Sequence, residues 1–183
     1  MPSYALLLRG INVGGNKTVP MAELRALLAS EGFADSRTLL NSGNAVFRGG
    51  AASSKAIERR LEAAFEKRFG FEVDCMVRTS AEWSKLVSEN PFPAEAKRDP
   101  GHLVMVALDE APAAKAVEAL RSAIAATKGP ETVRAAGRQL WAYYPDGQGR
   151  SKLTLPLIEK CLGTRGTGRN WNTVLKLAEL LKA

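Results

Sequence analysis

A four-residue turn in the first third of the chain limits the folds that this protein can adopt. Residues 41–44, Asn-Ser-Gly-Asn, join the extended segments 37–40 and 45–48 and supply the positive-φ positions of a β-hairpin. The hairpin follows a short strand, residues 4–9, and an amphipathic helix over residues 20–32. A strand, a helix and then a hairpin indicate an antiparallel sheet covered by helices on one face.

The same order of elements continues and then restarts. Apolar residues recur at helical spacing over 57–69, and a strand at 73–77 completes a βαββαβ order. Further along, a strand at 102–108, a helix at 112–127 and a hairpin around Gly137 repeat the β-α-β-β pattern. The sequence therefore predicts an α+β protein with two ferredoxin-like βαββ-type halves, mainly antiparallel sheets and two C-terminal helices.

A proline-rich stretch separates the two halves. We predict an N-terminal subdomain at 1–90, a connection at 91–101 and a C-terminal subdomain at 102–183. The second subdomain is expected to end in a helix over about residues 153–162, a loop at 163–169 and a final helix.

Composition indicates a cytoplasmic protein with no membrane contact. No apolar stretch approaches the roughly 20 residues that a membrane-spanning helix needs, and the N-terminus has no secretory signal pattern. Cys75 and Cys161 lack metal-binding or redox spacing, and we interpret both as unpaired thiols in a reducing compartment. Residues 134–183 carry nine Lys and Arg residues against three acids, within a total net charge of +7. This excess favours a phosphate-bearing partner for the C-terminal part.

Three glycine-containing loops with cations precede helices, where backbone N–H groups can hold an anion. The first, residues 9–17, resembles a phosphate-binding P-loop, but Asn16 stands where that motif requires lysine. The second, residues 145–152, and the third, residues 164–170, combine glycines with Arg and Lys. The alternative for the first loop is a conformational loop in which Arg9 and Lys17 are solvated. For the second it is a hairpin exit with an N-cap serine, and for the third an inter-helix loop whose arginines are solvated.

The candidate ligand-binding residues belong to these loops and to the first hairpin turn. They are Arg9, Asn12, Gly14, Gly15, Lys17, Ser42, Asn44, Arg150, Ser151, Lys152, Arg165, Arg169, Asn170, Trp171 and Asn172. No catalytic constellation or metal-ligand spacing stands out, and we expect no cofactor. His102, the single histidine, is interpreted as structural.

Nucleic-acid binding has weaker support in the sequence. A βαββαβ sheet can present aromatic residues to bases, but the segment around Phe47 lacks the aromatic signature of RNA-recognition domains. Trp171, which lies beside Arg169 in the chain, is the best candidate for stacking on a base.

Several motifs together resemble one protein family. The segments Arg-Gly-Ile-Asn-Val-Gly-Gly at 9–15, Ser-Gly-Asn-Ala-Val-Phe at 42–47 and Arg-Asn-Trp-Asn-Thr-Val at 169–174 are similar to the domain of unknown function 1697 family. The resemblance covers nearly the whole chain. It implies a two-part α+β fold in the bacterial cytoplasm, and it implies no established activity or catalytic residue.

The sequence leaves three classes of function open. The first is binding of a phosphorylated ligand, either a nucleotide or nucleic acid, through the three loops. The second is an enzyme acting on a small phosphorylated or acyl substrate. The third is a protein-interaction module whose loops are structural. A closed pocket of small-molecule size favours the second class, whereas an open basic groove favours nucleic acid.

Overall fold

The computed structural model describes all 183 residues, and it confirms an α+β fold with two four-stranded antiparallel sheets. The chain divides into two compact units. Unit 1 comprises Met1–Val87 together with Lys176–Ala183, and unit 2 comprises Ser88–Leu175. Each unit contains one sheet.

Unit 1 holds four strands and three helices in its first segment, although the last residue of the third helix, Ser88, belongs to unit 2. In chain order they are β1 (Ser3–Leu8), α1 (Met21–Ser30), β2 (Ala34–Leu39), β3 (Asn44–Arg48), α2 (Ser54–Phe69), β4 (Cys75–Thr79) and α3 (Ser80–Ser88). The strand order in the sheet is β2-β3-β1-β4, with every neighbouring pair antiparallel. This arrangement is the ferredoxin-like one that the sequence predicts.

Alternation along β1 explains how α1 and α2 cover one face of this sheet. Tyr4, Leu6 and Leu8 point to the same face because successive strand residues alternate, and they join one core with Leu24 of α1 and Leu61 of α2. The start of α2 is fixed by Ser53, whose hydroxyl accepts a hydrogen bond from the Ala56 N–H. The core of unit 1 therefore lies between its sheet and these two helices.

Unit 2 repeats this topology. Its elements are α4 (Pro93–Arg98), β5 (Leu103–Leu108), α5 (Ala114–Thr127), β6 (Thr132–Ala136), β7 (Gln139–Tyr143), α6 (Leu155–Leu162), β8 (Gly166–Asn170) and α7 (Trp171–Lys182), whose last residues belong to unit 1. The strand order β6-β7-β5-β8 corresponds position by position to that of unit 1. The core contains Val104 and Val106 of β5, Leu120 of α5 and Ile158 of α6.

Strand β8 corrects one sequence-based expectation, because residues 163–169 were predicted to form a loop. The strand instead pairs antiparallel with β5, and Gly168 stands opposite Val106. A Cβ atom at Gly166 would lie 2.8 Å from Val106 Cγ1, and one at Gly168 would lie 3.0 Å from Val104 Cγ1. Two glycines therefore let the valines of β5 fill the space above the strand. The prediction was wrong because glycine disfavours strands on average, whereas here the packing needs it.

The two last strands carry buried arginines at matching positions. Arg78 stands opposite Ala5, the third residue of β1, and Arg169 stands opposite Met105, the third residue of β5. Both arginines are buried, and in both units a helix begins within two residues of them. The correspondence therefore extends from topology to individual side chains.

Candidate functional site

The first predicted loop, residues 9–17, folds into a narrow reverse turn. The Asn16 N–H donates to the Val13 carbonyl at 3.2 Å, and the Asn12 N–H donates to the Lys17 carbonyl at 3.1 Å. Gly14 and Gly15 stand between these contacts with φ of 60° and 76°, values that glycine adopts without strain. The two glycines therefore allow the chain to reverse direction between these hydrogen bonds.

Both cations of this first loop contact the segment before β4. Arg9 Nη1 lies 3.2 Å from Asp74 Oδ2 in an ion pair. Lys17 Nζ donates to the carbonyl oxygen of Glu72 at 2.7 Å. Because Arg9 and Lys17 each contact a group of the protein itself, they are less available to an external anion than the sequence predicts.

The first loop and the hairpin turn meet through Asn12. Its Nδ2 donates to the carbonyl of Asn41 at 2.7 Å, and its Oδ1 accepts from the Val19 N–H at 2.8 Å. In the turn itself, buried Asn44 donates through Nδ2 to the Leu39 carbonyl and to Ser42 Oγ. The structure thus brings these predicted site residues of unit 1 together, and their amides serve intramolecular hydrogen bonds.

Residues of the third predicted segment lie in or beside β8. Arg165 pairs with Asp109 at 3.2 Å. Arg169 is buried and donates to Thr167 Oγ1 at 2.7 Å, and burial lowers its pKa from the usual value of an arginine to about 10. Its charge is therefore retained at neutral pH.

The end of that segment starts helix α7. Asn170 Oδ1 accepts from the Thr173 N–H at 3.0 Å, as an N-terminal cap does. Trp171 is buried, and its ring contacts that of Trp141 at a centroid distance of 5.4 Å, edge to face. Asn172 is exposed.

The second predicted loop, residues 145–152, borders a cleft in unit 2, which we call the 150 cleft. Its volume is about 400 Å³, and its lining includes Gly129, Glu131, Gly147, Arg150, Ser151 and Lys152. Ser151 Oγ donates to Glu131 Oε1 and accepts from the Leu153 N–H at 3.0 Å. Arg150 and Lys152 are exposed, and neither has a carboxylate partner.

A second cleft adjoins the first, and we call it the edge cleft because edge strand β6 forms one wall. Its volume is about 480 Å³. Gly129 and Glu131 line both clefts, while Arg121 of α5 and Arg134 of β6 line only the edge cleft. Sequence reasoning missed this cleft because the residues between α5 and β6 carry no recognisable motif.

A side-chain cluster around His102 was also missed. His102 Nδ1 lies 3.0 Å from Asp99 Oδ2, and the Tyr143 hydroxyl donates to the same oxygen at 3.1 Å. The guanidinium of Arg98 lies over the Tyr143 ring, and hydrogen bonding to Tyr143 raises the pKa of Arg98. A Cβ atom at Gly147 would lie 3.5 Å from His102 Nε2, so the cluster adjoins the 150 cleft loop. The Asp-x-x-His spacing was the available sequence signal.

Fold and topology define a tandem ferredoxin-like α+β protein. The chain belongs to the family described as a protein of unknown function, DUF1697, which it matches over residues 1–141. A solved structure, that of the conserved bacterial protein SP0830 from Streptococcus pneumoniae, is similar with a TM-score of 0.70. The two chains share 24% identity over 98% of each, which shows the fold.

No curated protein matches the chain. No helix has both the length and the apolar composition needed to cross a bilayer. No group of three or more His, Cys, Asp or Glu residues is placed to hold a metal ion.

Proposed function

We propose that this protein binds a small phosphorylated ligand in the 150 cleft. The observation that carries the proposal is the pair Arg150 and Lys152, two exposed cations without carboxylate partners at the lining of that cleft. Arginine offers a planar fork that matches phosphate oxygens, and lysine adds a point charge. Together they form the most accessible cation pair among the predicted loops.

The acids of the cleft suggest what else the ligand carries. Glu131 and Asp146 line the same cleft as the two cations. Carboxylates repel phosphate but accept hydrogen bonds from hydroxyl and amino groups. A ligand with both a phosphate and neighbouring hydroxyls fits this mixed lining, and a volume of about 400 Å³ lies in the small-molecule range.

The pairing and burial of the other predicted cations favour a small local site over an extended nucleic-acid-binding surface. Arg9 and Arg165 each pair with a carboxylate, and Arg169 is buried. Nucleic-acid affinity depends on many cations that are available to successive phosphates. We propose a cytoplasmic location, which two cysteines without a disulfide support.

Calorimetry with fructose 6-phosphate at low salt tests the proposal. The double variant Arg150→Gln/Lys152→Gln is expected to lose at least about tenfold in affinity, because each charge-assisted hydrogen bond contributes roughly 1.5–3 kcal/mol. The matched control, Lys115→Gln/Lys160→Gln, removes the same charge from exposed positions outside the cleft and should bind as the wild type does. If both double variants lost the same affinity, the effect would come from net charge alone, and a local site would be refuted.

The cluster at His102 favours a second candidate function, hydrolysis of a phosphate monoester. Asp99 holds His102 through Nδ1, which leaves Nε2 to take a proton from water. The resulting hydroxide would attack phosphorus, and the alcohol would leave with a proton from solvent. Phosphate release from fructose 6-phosphate should then fall at least about a hundredfold in His102→Gln while binding persists. No release by the wild type excludes this candidate.

A further inference from the structure

We infer that the ligand of the 150 cleft is a phosphorylated amine, whose ammonium group binds Glu131 while its phosphate binds Arg150 and Lys152. The inference rests on the proposed function, which supplies the phosphate position. It follows from the four charged side chains of the cleft and from the way in which Glu131 is held in the wall.

The 150 cleft has two charges of each sign, and these charges do not pair with one another. The charged residues of its lining are Glu131, Asp146, Arg150 and Lys152. None of the four forms an ion pair, either within the cleft or with a residue outside it. A phosphate group alone would bring a charge of about −1.5 to −2 next to two carboxylates. A ligand that also carries a positive group complements both signs of charge.

Glu131 is half-buried, and two neighbours hold its carboxylate in place. Ser151 Oγ accepts from the Leu153 N–H at 3.0 Å and donates its own proton to Glu131 Oε1. A Cβ atom at residue 129 would overlap Glu131 Oε2, and Gly129 does not have a positive φ that would by itself require glycine. Glycine at this position therefore makes room for the carboxylate, which stands in its place before a ligand binds.

One oxygen of this carboxylate receives no hydrogen bond from the protein. Ser151 donates to Oε1, whereas Oε2 has no donor and lies beside Gly129, which lines the same cleft. A carboxylate oxygen accepts from a hydroxyl or from an ammonium group. An ammonium group adds a Coulomb attraction to the hydrogen bond, and this attraction is stronger at a half-buried carboxylate than in water. Glu131 therefore favours an ammonium group over a hydroxyl.

Calorimetry on the full chain with glucosamine 6-phosphate and glucose 6-phosphate tests the inference, at low salt and at a pH at which the amine is protonated. The two sugars differ only in an ammonium group that replaces one hydroxyl. We expect the wild type to bind glucosamine 6-phosphate about tenfold or more tightly than glucose 6-phosphate. Glu131→Gln keeps an acceptor for Ser151 and removes the charge, so it should bind the two sugars equally. The matched control Glu66→Gln removes the same charge from an exposed position on α2 and should keep the wild-type preference.

N-acetylglucosamine 6-phosphate separates the effect of the charge from that of the nitrogen atom. Its amide keeps the nitrogen but carries no positive charge, so it should bind no more tightly than glucose 6-phosphate. If it bound as tightly as glucosamine 6-phosphate, the preference would not come from an ammonium group, and the inference would be overturned.

Failure of this inference and failure of the proposed function give different results. If the wild type bound glucosamine 6-phosphate and glucose 6-phosphate equally, or if Glu131→Gln kept the preference, the ammonium contact would be refuted while the phosphate site stood. If Arg150→Gln/Lys152→Gln bound both sugars as the wild type does, or if the wild type bound neither, the proposed function would be refuted, and the inference with it.

Discussion

Adding one methyl group to strand β8 tests whether its close contact with β5 exists in solution. In Gly166→Ala, the new Cβ would lie 2.8 Å from Val106 Cγ1, 3.0 Å from Leu108 Cδ2 and 3.1 Å from the backbone oxygen of Ala107. Neither a branched side chain near its own backbone nor a carbonyl in a sheet can move away easily. The strand must therefore shift away from β5 or the valine must leave its rotamer.

The magnitude follows from two opposing effects. Overpacking of this kind costs about 1–3 kcal/mol, whereas replacing glycine by alanine restricts the unfolded chain and returns about 0.4–1 kcal/mol. We expect a net loss of about 1–2 kcal/mol in the free energy of unfolding, which corresponds to roughly 2–8 °C in Tm. Urea unfolding followed by circular dichroism measures the first quantity and a thermal melt the second.

Gly149→Ala is the matched control, because a Cβ atom at Gly149 meets no heavy atom within 4 Å. This variant should be as stable as the wild type or slightly more stable. If Gly166→Ala matched the control, the close packing of β8 against β5 would be refuted.

Three further predictions concern buried polar groups. Glu58→Gln should destabilise the protein by about 3 kcal/mol in urea, because it removes a buried negative charge that lies 3.5 Å from the buried guanidinium of Arg78; unchanged stability would contradict this. Burial raises the pKa of the Cys75 thiol, so a thiol reagent should modify half-exposed Cys161 first and Cys75 only on unfolding. Burial also raises the pKa of Tyr144 to about 12, so its stabilising contribution is complete below the unfolded pKa of about 10 and is lost as pH rises towards 12. Ultraviolet titration of the native protein should show one tyrosine ionising near pH 12, and this step should be absent in Tyr144→Phe.

Sequence periodicity was sufficient for most of the secondary structure. Hydrophobic residues at helical spacing identified α1 and α2, an alanine-rich segment after Pro112 identified α5, and the turns around Gly43 and Gly137 identified both hairpins. These signals are local, since each depends on residues that are neighbours along one element. The order of these elements was then enough to predict antiparallel ferredoxin-like sheets.

For the candidate site, the sequence identified residues but not their environments. Arg150, Ser151 and Lys152 were predicted from a glycine-rich loop before a helix, and they line the 150 cleft. Glu131 was not predicted, because it reaches both clefts from the connection after α5. Side chains from separate elements form a site only through tertiary contacts.

The sequence by itself determined the repeated βαββ order and the presence of glycine-and-cation loops, because local conformational preferences and hydrophobic spacing are written along the chain. Only the tertiary structure decided that Gly166 and Gly168 form a strand, since its cause is the valine side chains of β5. Only the tertiary structure decided that Arg9 and Arg165 pair with acids while Arg150 does not. The physical reason is that a charged side chain is available to a ligand only if no opposite charge of the protein packs against it. Such a partner lies many residues away in the sequence.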